Sequence, residues 1–367
     1  MKRINSYLLI FLGIGILFSN SNRVFAQKQY PVIFKEQHRI LKKLKRKEKL
    51  VGLALQISIA DSLVYQDYLG YANKAEKQKV DSTTVFRLAS ISKAITAATL
   101  AVLVNEGIME LDKSVHEYIP YFPKKNYPIL IRQLAFHTGG IRSYRGNEFM
   151  LNESRSIREG INLFINDSLE YQPGTKFLYS TFGFNLISLA IQEETKTPFE
   201  EIVQQKLIKP LALEHVYHNI SDIPNANLTS FYQKTKSKKV REAKPVENFY
   251  KLGGGGFYAN VSDILSFGNS WRNNSIVLNP IKKQFVSKQR IDDKAISYGL
   301  GWEIGTDQFN RPYYGHSGGG VGASTYLLIY PNEELVISFL ANTNCNSLIT
   351  REYLALIVQS IVSNRDI

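Results

Sequence analysis

One cysteine in 367 residues, Cys345, leaves this chain without an internal disulfide and excludes a thiolate metal cluster. Cys345 itself reads as a small buried residue. No Pro- or Ser-rich linker divides the sequence, no repeat recurs along it and no low-complexity tract interrupts it. These absences exclude a solenoid and a disordered chain, and they favour one large core with an inserted subdomain. The two densest basic runs, Lys42 to Lys49 and Lys234 to Arg241, lack interleaved aromatics, so they read as solvated faces and no nucleic-acid partner is expected.

Long apolar runs are also missing. Tyr7 to Phe18 is too short for a comfortable membrane span. It follows Lys2 and Arg3 and precedes Val24-Phe25-Ala26, the pattern of a secretory leader with small-residue cleavage. Residues 1–26 are therefore expected to be a signal peptide and the mature chain periplasmic or secreted, with no stable span after cleavage. The leader carries Lys2, Arg3 and Arg23 and no acid, so its removal lowers the net charge from +13 to +10.

What is present is organised in three parts. Ile33, Ile40, Leu41 and Leu44 make one helical stripe, and Val51 to Ala60 and Leu63 to Tyr71 read as strands around Asp61-Ser62. Residues 125 to about 248 read as mostly helical with loops. Tyr298 to Ile304, Tyr313 to His316, Ala323 to Tyr330 and Leu335 to Leu340 predict strands, and Ser347 to Val362 a closing helix. The fold class is α+β: an antiparallel sheet built from both chain ends (about 27–124 and 250–367), flanked by helices, with a mostly helical inserted lobe at about 125–249.

The stretch that organises the rest is Phe86 to Gly107. From Ala94 to Val104 nearly every residue is apolar, so this helix has no wet face and runs through a core, with Gly107 as its stop. Ser90 and Lys93 leave the same face at its N-terminus. Ser90 has two readings, a plain N-cap or a nucleophile. A capping box calls for Glu or Gln at the third position, where the macrodipole disfavours a cation, yet Lys stands there. Burial and the helix N-terminus push a Lys towards its neutral form, which accepts a serine proton, and the same N–H groups can hold an oxyanion.

Tyr179 and Ser180 precede a second apolar helix. Tyr179 either packs its ring or acts as a base, which requires its pKa to fall by about three units beside a cation such as Lys93. His316 is either a satisfied strand-end histidine or part of a site, since Ser317, Gly318, Gly319 and Gly320 follow it and strip the backbone for close approach. An edge strand there can complete an oxyanion hole. Gly315 to Gly319 also matches G-x-S-x-G with Ser317 central, but strand-type residues follow where that elbow needs a helix. His215 and His218 lack a third ligand at metal spacing, so no metal is expected. Gly253 to Gly256 lack the Lys-Ser/Thr of a phosphate loop and read as a hinge or close-approach loop.

With Ser90-Ile-Ser-Lys93, Tyr179-Ser-Thr181 and His316-Ser-Gly318 in this order, the chain resembles the serine β-lactamase-related family, which includes class C β-lactamases, penicillin-binding D,D-peptidases and related esterases. RLASISK, HTGGIRSY, FLYSTFGF, GGGFYANVSDILSFGN and HSGGGVGAS resemble a mitochondrial branch of it. The resemblance implies a β-lactamase/transpeptidase-like fold across almost the whole mature chain. It implies Ser90 as acylated nucleophile, Lys93 as proton acceptor, Tyr179 as shared general base and His316 as the opposite wall. The N–H groups of Ser90 and Gly319 would form the oxyanion hole, and Thr181, Ser317 and Gly318 would contact substrate. No cofactor is implied. Self-association is, through the filament-forming branch.

Two departures weaken the β-lactamase reading. Thr181 stands where those enzymes have an amide-bearing Asn, and His316 where they have Lys. The expected function is an exported serine hydrolase cleaving a small-molecule or peptide amide or ester through an acyl-enzyme. A β-lactamase or D,D-peptidase, and a weakly catalytic scaffold of the same fold, are the alternatives.

Overall fold

The computed structural model describes residues 34–363 apart from Lys236 and Lys238; the leader expectation and Ile33 fall outside them. Helix α1 (Phe34–Lys47) leads into strands β1 (Gly52–Ile59), β2 (Ser62–Asn73) and β3 (Gln78–Lys79). Helices α2 (Ile91–Asn105), α3 (Thr181–Thr195) and α4 (Val261–Arg272) follow. Strands β4 (Glu303–Thr306), β5 (Pro312–Gly320), β6 (Ala323–Tyr330) and β7 (Leu335–Ala341) and helix α5 (Ser347–Val362) come last.

One seven-stranded sheet runs β4-β5-β6-β7-β1-β2-β3, with β1 and β7 antiparallel from Leu53 opposite Ala341 to Ile59 opposite Leu335. That pairing joins the two chain ends, as the sequence predicts. β1 alternates its side chains between two packed faces, which is why all of it is buried. Leu53, Leu55 and Ile57 meet the stripe Ile40, Leu41 and Leu44 of α1 together with Leu354, Ile357 and Val358 of α5. On the other face Gln56 and Ser58 bond Ser262 and Asn269 of α4. Helix α2 lies in the larger core with no wet side. Leu100 and Leu103 are fully buried there, each stabilising the fold by about 1.5–3 kcal/mol.

Several expectations need correction. The lobe is less helical than its composition suggests: besides α3, its described helices are short, at Ile131–Ala135, Ile157–Gly160, Phe199–Val203 and Gln204–Ile208, with single 3-10 turns at Glu148–Met150, Ile161–Leu163 and Ile220–Asp222. Much of 141–170 is irregular chain gathered around the buried Arg142 guanidinium, which meets Glu148 at 2.7 Å and also Asp167. An ion-pair hub of this kind leaves no periodic signal. Val216–Tyr217, between His215 and His218, is a short strand within that lobe. Tyr298 reaches β4 through a single bridge to Glu303 instead of starting the strand. Cys345 is half-buried, with Sγ 3.0 Å from Thr350 Oγ1. Among the described residues no helix is long and apolar enough to cross a membrane, and no cluster of His, Cys, Asp or Glu is placed to hold a metal.

Candidate active site

The site forms where the N-terminus of α2 meets the lobe and the C-terminal half of β5. Ala89 takes φ +49°, a conformation that L-residues adopt rarely, and the chain then turns into α2 at Ser90. Ser90 occupies the cap position, yet its side chain makes no cap hydrogen bond. The hydroxyl is thus free for another use, which removes the plain-cap reading. Three polar side chains that follow bond the glycine-rich turn at 252–257: Ser92 Oγ accepts the Phe257 N–H at 3.1 Å, Lys93 Nζ donates to the Gly254 carbonyl at 2.6 Å, and Thr96 Oγ1 donates to the Gly253 carbonyl at 2.8 Å. A Cβ on Gly254 would lie 2.4 Å from Thr181 Cγ2. The turn is a close-approach loop and not a hinge.

Lys93 is fully buried, and Nζ also lies 3.2 Å from Ser90 Oγ and 3.3 Å from Thr181 Oγ1. Burial, helped by the positive charge of Lys251 and opposed by Glu303, lowers its pKa to about 7. A neutral amine has two N–H donors and one lone pair. Gly254 and Thr181 supply two acceptors, so the lone pair is left for the Ser90 hydroxyl proton.

Tyr179 packs its ring 4.8 Å from Lys93 Nζ and hydrogen-bonds Ser90. Its expected pKa fall is not found. Burial drives the phenol well above its usual value and outweighs the Ser90 bond. A phenol in that state is protonated near neutrality, where its hydroxyl can donate or relay a proton.

His316 heads the part of β5 beyond Gly315, the last residue paired with β4. Burial lowers its pKa to about 4 despite Glu303, so the imidazole is neutral at pH 7. A chain of bonds fixes its tautomer. The Ser180 N–H donates to His137 Nδ1 at 3.2 Å, so His137 Nε2–H donates to Tyr298 Oη at 3.2 Å. The Tyr298 hydroxyl donates to His316 Nε2 at 2.8 Å, and His316 Nδ1–H donates to the Ser317 carbonyl at 2.6 Å. His137 takes φ +62° to reach this position. Burial keeps His137 neutral as well. Neither His137 nor Tyr298 was singled out as a site residue by sequence reasoning, although HTGG was a visible motif.

The Ser317 hydroxyl donates to Glu303 Oε1 at 2.6 Å, and β5 continues as a strand through Gly320, so the apparent elbow is no elbow. Gly318 acts as a spacer: a Cβ there would lie 2.1 Å from Thr325 Oγ1, 2.3 Å from the Leu88 carbonyl and 3.2 Å from Ser90 N. Gly319 faces open space instead, with nothing within 4 Å of a Cβ, and it lines a small cavity together with Ser90 and Thr181.

A mixed sheet-and-helix fold with a serine and a buried, readily neutralised lysine at one helix end defines a serine hydrolase of β-lactamase/transpeptidase type. The Beta-lactamase family model matches residues 38–359, and the chain belongs to that family. It is 25% identical over 390 residues to the human serine beta-lactamase-like protein LACTB, mitochondrial, covering 80% of this chain and 71% of the relative. The octameric penicillin-binding protein homologue from Pyrococcus abyssi superposes with a TM-score of 0.76 at 21% identity, covering 89% of this chain and 77% of that one. EstCE1, described as a hydrolase with promiscuous acyltransferase activity, gives 0.76 at 19% identity over 90% and 98%.

Proposed function

We propose that this protein is an exported serine hydrolase of peptidase or esterase type that works through an acyl-enzyme on Ser90. The observation that carries the reading is the Lys93 amine, with pKa near 7, beside a Ser90 hydroxyl that caps nothing. Ser90 Oγ bonds to the substrate carbonyl carbon while its proton passes to Lys93 Nζ. The oxyanion sits between the N–H groups of Ser90 and Gly319. On collapse the C–N or C–O bond breaks, and the leaving group takes a proton from the Tyr179 hydroxyl, which is replenished through Lys93. Water then adds to the ester by the same path in reverse, releasing the acid and freeing Ser90.

Thr181 and His316 weigh against β-lactams and cell-wall D-peptides as preferred substrates. Thr181 is committed to Lys93, and the neutral His316 offers no fixed cation for a substrate carboxylate. Export rests on the pattern of Met1 to Ala26. Self-association is part of the proposal and is checked by light scattering of the mature chain. Stopped-flow release of p-nitrophenol from p-nitrophenyl acetate tests the chemistry. A burst of one equivalent per Ser90 followed by slower turnover is expected, whereas a wild-type protein with neither burst nor turnover overturns the proposal.

A further inference from the structure

Two basic side chains besides Lys93 are buried near Ser90, and among the described residues neither is paired with a carboxylate. Arg87, in the short strand Phe86–Arg87, is 4% exposed, and Lys251 is 6% exposed. Arg87 stacks its guanidinium 4.0 Å from the Phe231 ring and donates from one terminal nitrogen to the Val321 carbonyl, while its Nε has no partner. Lys251 Nζ donates to the Phe149 carbonyl at 2.9 Å and lies 5.4 Å from the Tyr144 ring. Glu247, the acid whose charge reaches Lys251, has its Oε1 engaged by the N–H groups of Asn248 and Phe249.

Arg87 and Lys251 line the same cavity of about 70 Å3 as Ser90, Thr181 and Gly319, and no Asp or Glu lines it. Buried cations are unfavourable unless an anion meets them. The fold maintains two of them on one wall of the space where an acyl group must sit, so the missing counter-charge is one the substrate brings. Burial and the charge of Arg87 lower the pKa of Lys251 to about 7, and a carboxylate placed beside it would restore its charge. Tyr179 and His316 do not line this cavity. The leaving group, which has to meet the Tyr179 hydroxyl, therefore lies outside it and the acyl portion inside.

We propose that Arg87 and Lys251 form a carboxylate subsite, so that the preferred acyl groups are short chains ending in a carboxylate. The assignment rests on the Ser90 acyl-enzyme reading and adds the substrate class to it. On this account specificity comes from Arg87 and Lys251 and not from His316.

Two measurements on the full mature chain test it. The first compares kcat/KM for the p-nitrophenyl half-ester of glutarate with that for p-nitrophenyl pentanoate. Wild type is expected to prefer the glutarate ester at least tenfold, and the ratio should fall at least tenfold in Lys251→Gln and in Arg87→Gln, with Arg87→Lys recovering part of it. The second is calorimetric titration of Ser90→Ala with monomethyl glutarate, whose affinity should drop at least tenfold when Lys251→Gln is added. Equal use of both esters with no glutarate binding overturns the subsite and leaves the hydrolase reading standing. Glutarate bound by Ser90→Ala and lost on adding Lys251→Gln, with wild type turning over neither ester, supports the subsite and removes the hydrolase reading.

Discussion

Lys93 lies closer to Gly254 than to Ser90: its Nζ is 2.6 Å from the Gly254 carbonyl oxygen and 3.2 Å from Ser90 Oγ. The strongest tie of the amine is thus to backbone, which does not titrate and cannot swing away. A carbonyl and the Thr181 hydroxyl set the direction of the nitrogen, and the Ser90 hydroxyl takes the remaining lobe. Positioning of this kind lets a buried amine serve as a base without a carboxylate beside it.

The pH profile follows from that arrangement. The groups that influence Nζ are Lys251 and Glu303, with Tyr179, His137 and His316 close by. Both histidines are already neutral and Tyr179 is protonated near pH 7. The amine works only when uncharged, so kcat/KM for a neutral ester should rise with pH through one inflection near 7. Lys251→Gln removes a nearby positive charge and should move the inflection upward, on the order of half a unit. An inflection that moves downward would contradict the assignment.

Lys93 should also be a stability liability. Its pKa is about 7 in the fold against about 10.4 in the unfolded chain, so between those values the unfolded chain holds the extra proton and stability rises with pH. Below about pH 7 the full cost, on the order of 5 kcal/mol, is present. Lys93→Met removes the charge at similar volume. It should abolish activity while raising Tm, and the gain should be larger at pH 6.5 than at pH 10 in thermal melts. A lower Tm at pH 6.5 would show that the three polar contacts outweigh the buried charge.

Adjacent glycines on β5 should behave differently. Gly318→Ala forces a methyl into the Leu88 carbonyl and Thr325 hydroxyl, so it should destabilise the fold by about 1–3 kcal/mol and move the strand from Ser90. Gly319→Ala adds its methyl to open space and should keep the wild-type Tm while raising KM. Equal losses of Tm in the two variants would mean that the strand does not sit as described.

Tyr298 ties two neutral histidines together. Tyr298→Phe leaves His316 Nε2 without its donor and His137 Nε2–H without its acceptor, both buried. A loss of about 1–3 kcal/mol for each is expected from urea denaturation. The further change His316→Leu should then cost less than in wild type, because one orphaned group disappears with it. Additive costs would show that the chain of bonds carries no coupling.

Much of this was legible in the sequence, for reasons that vary by element. Helix α2 announced itself through unbroken apolarity, and Lys93 through its position against the macrodipole. The joined chain ends followed from where strand-type runs fall. The acidity of Tyr179 was not legible, since burial and a hydrogen bond compete and sequence cannot weigh them. The partners of Lys93 were hidden because a backbone carbonyl at Gly254, 161 positions away, has no side-chain signature. His137 and Arg142 organise irregular chain, where no period exists to detect.

The most direct measurement is intact-mass analysis after treatment with a fluorophosphonate, on wild type, Ser90→Ala and Ser317→Ala. The account predicts one adduct on wild type and on Ser317→Ala and none on Ser90→Ala. An adduct that survives in Ser90→Ala and disappears in Ser317→Ala would contradict it, because the nucleophile would then lie on β5 and not at the head of α2.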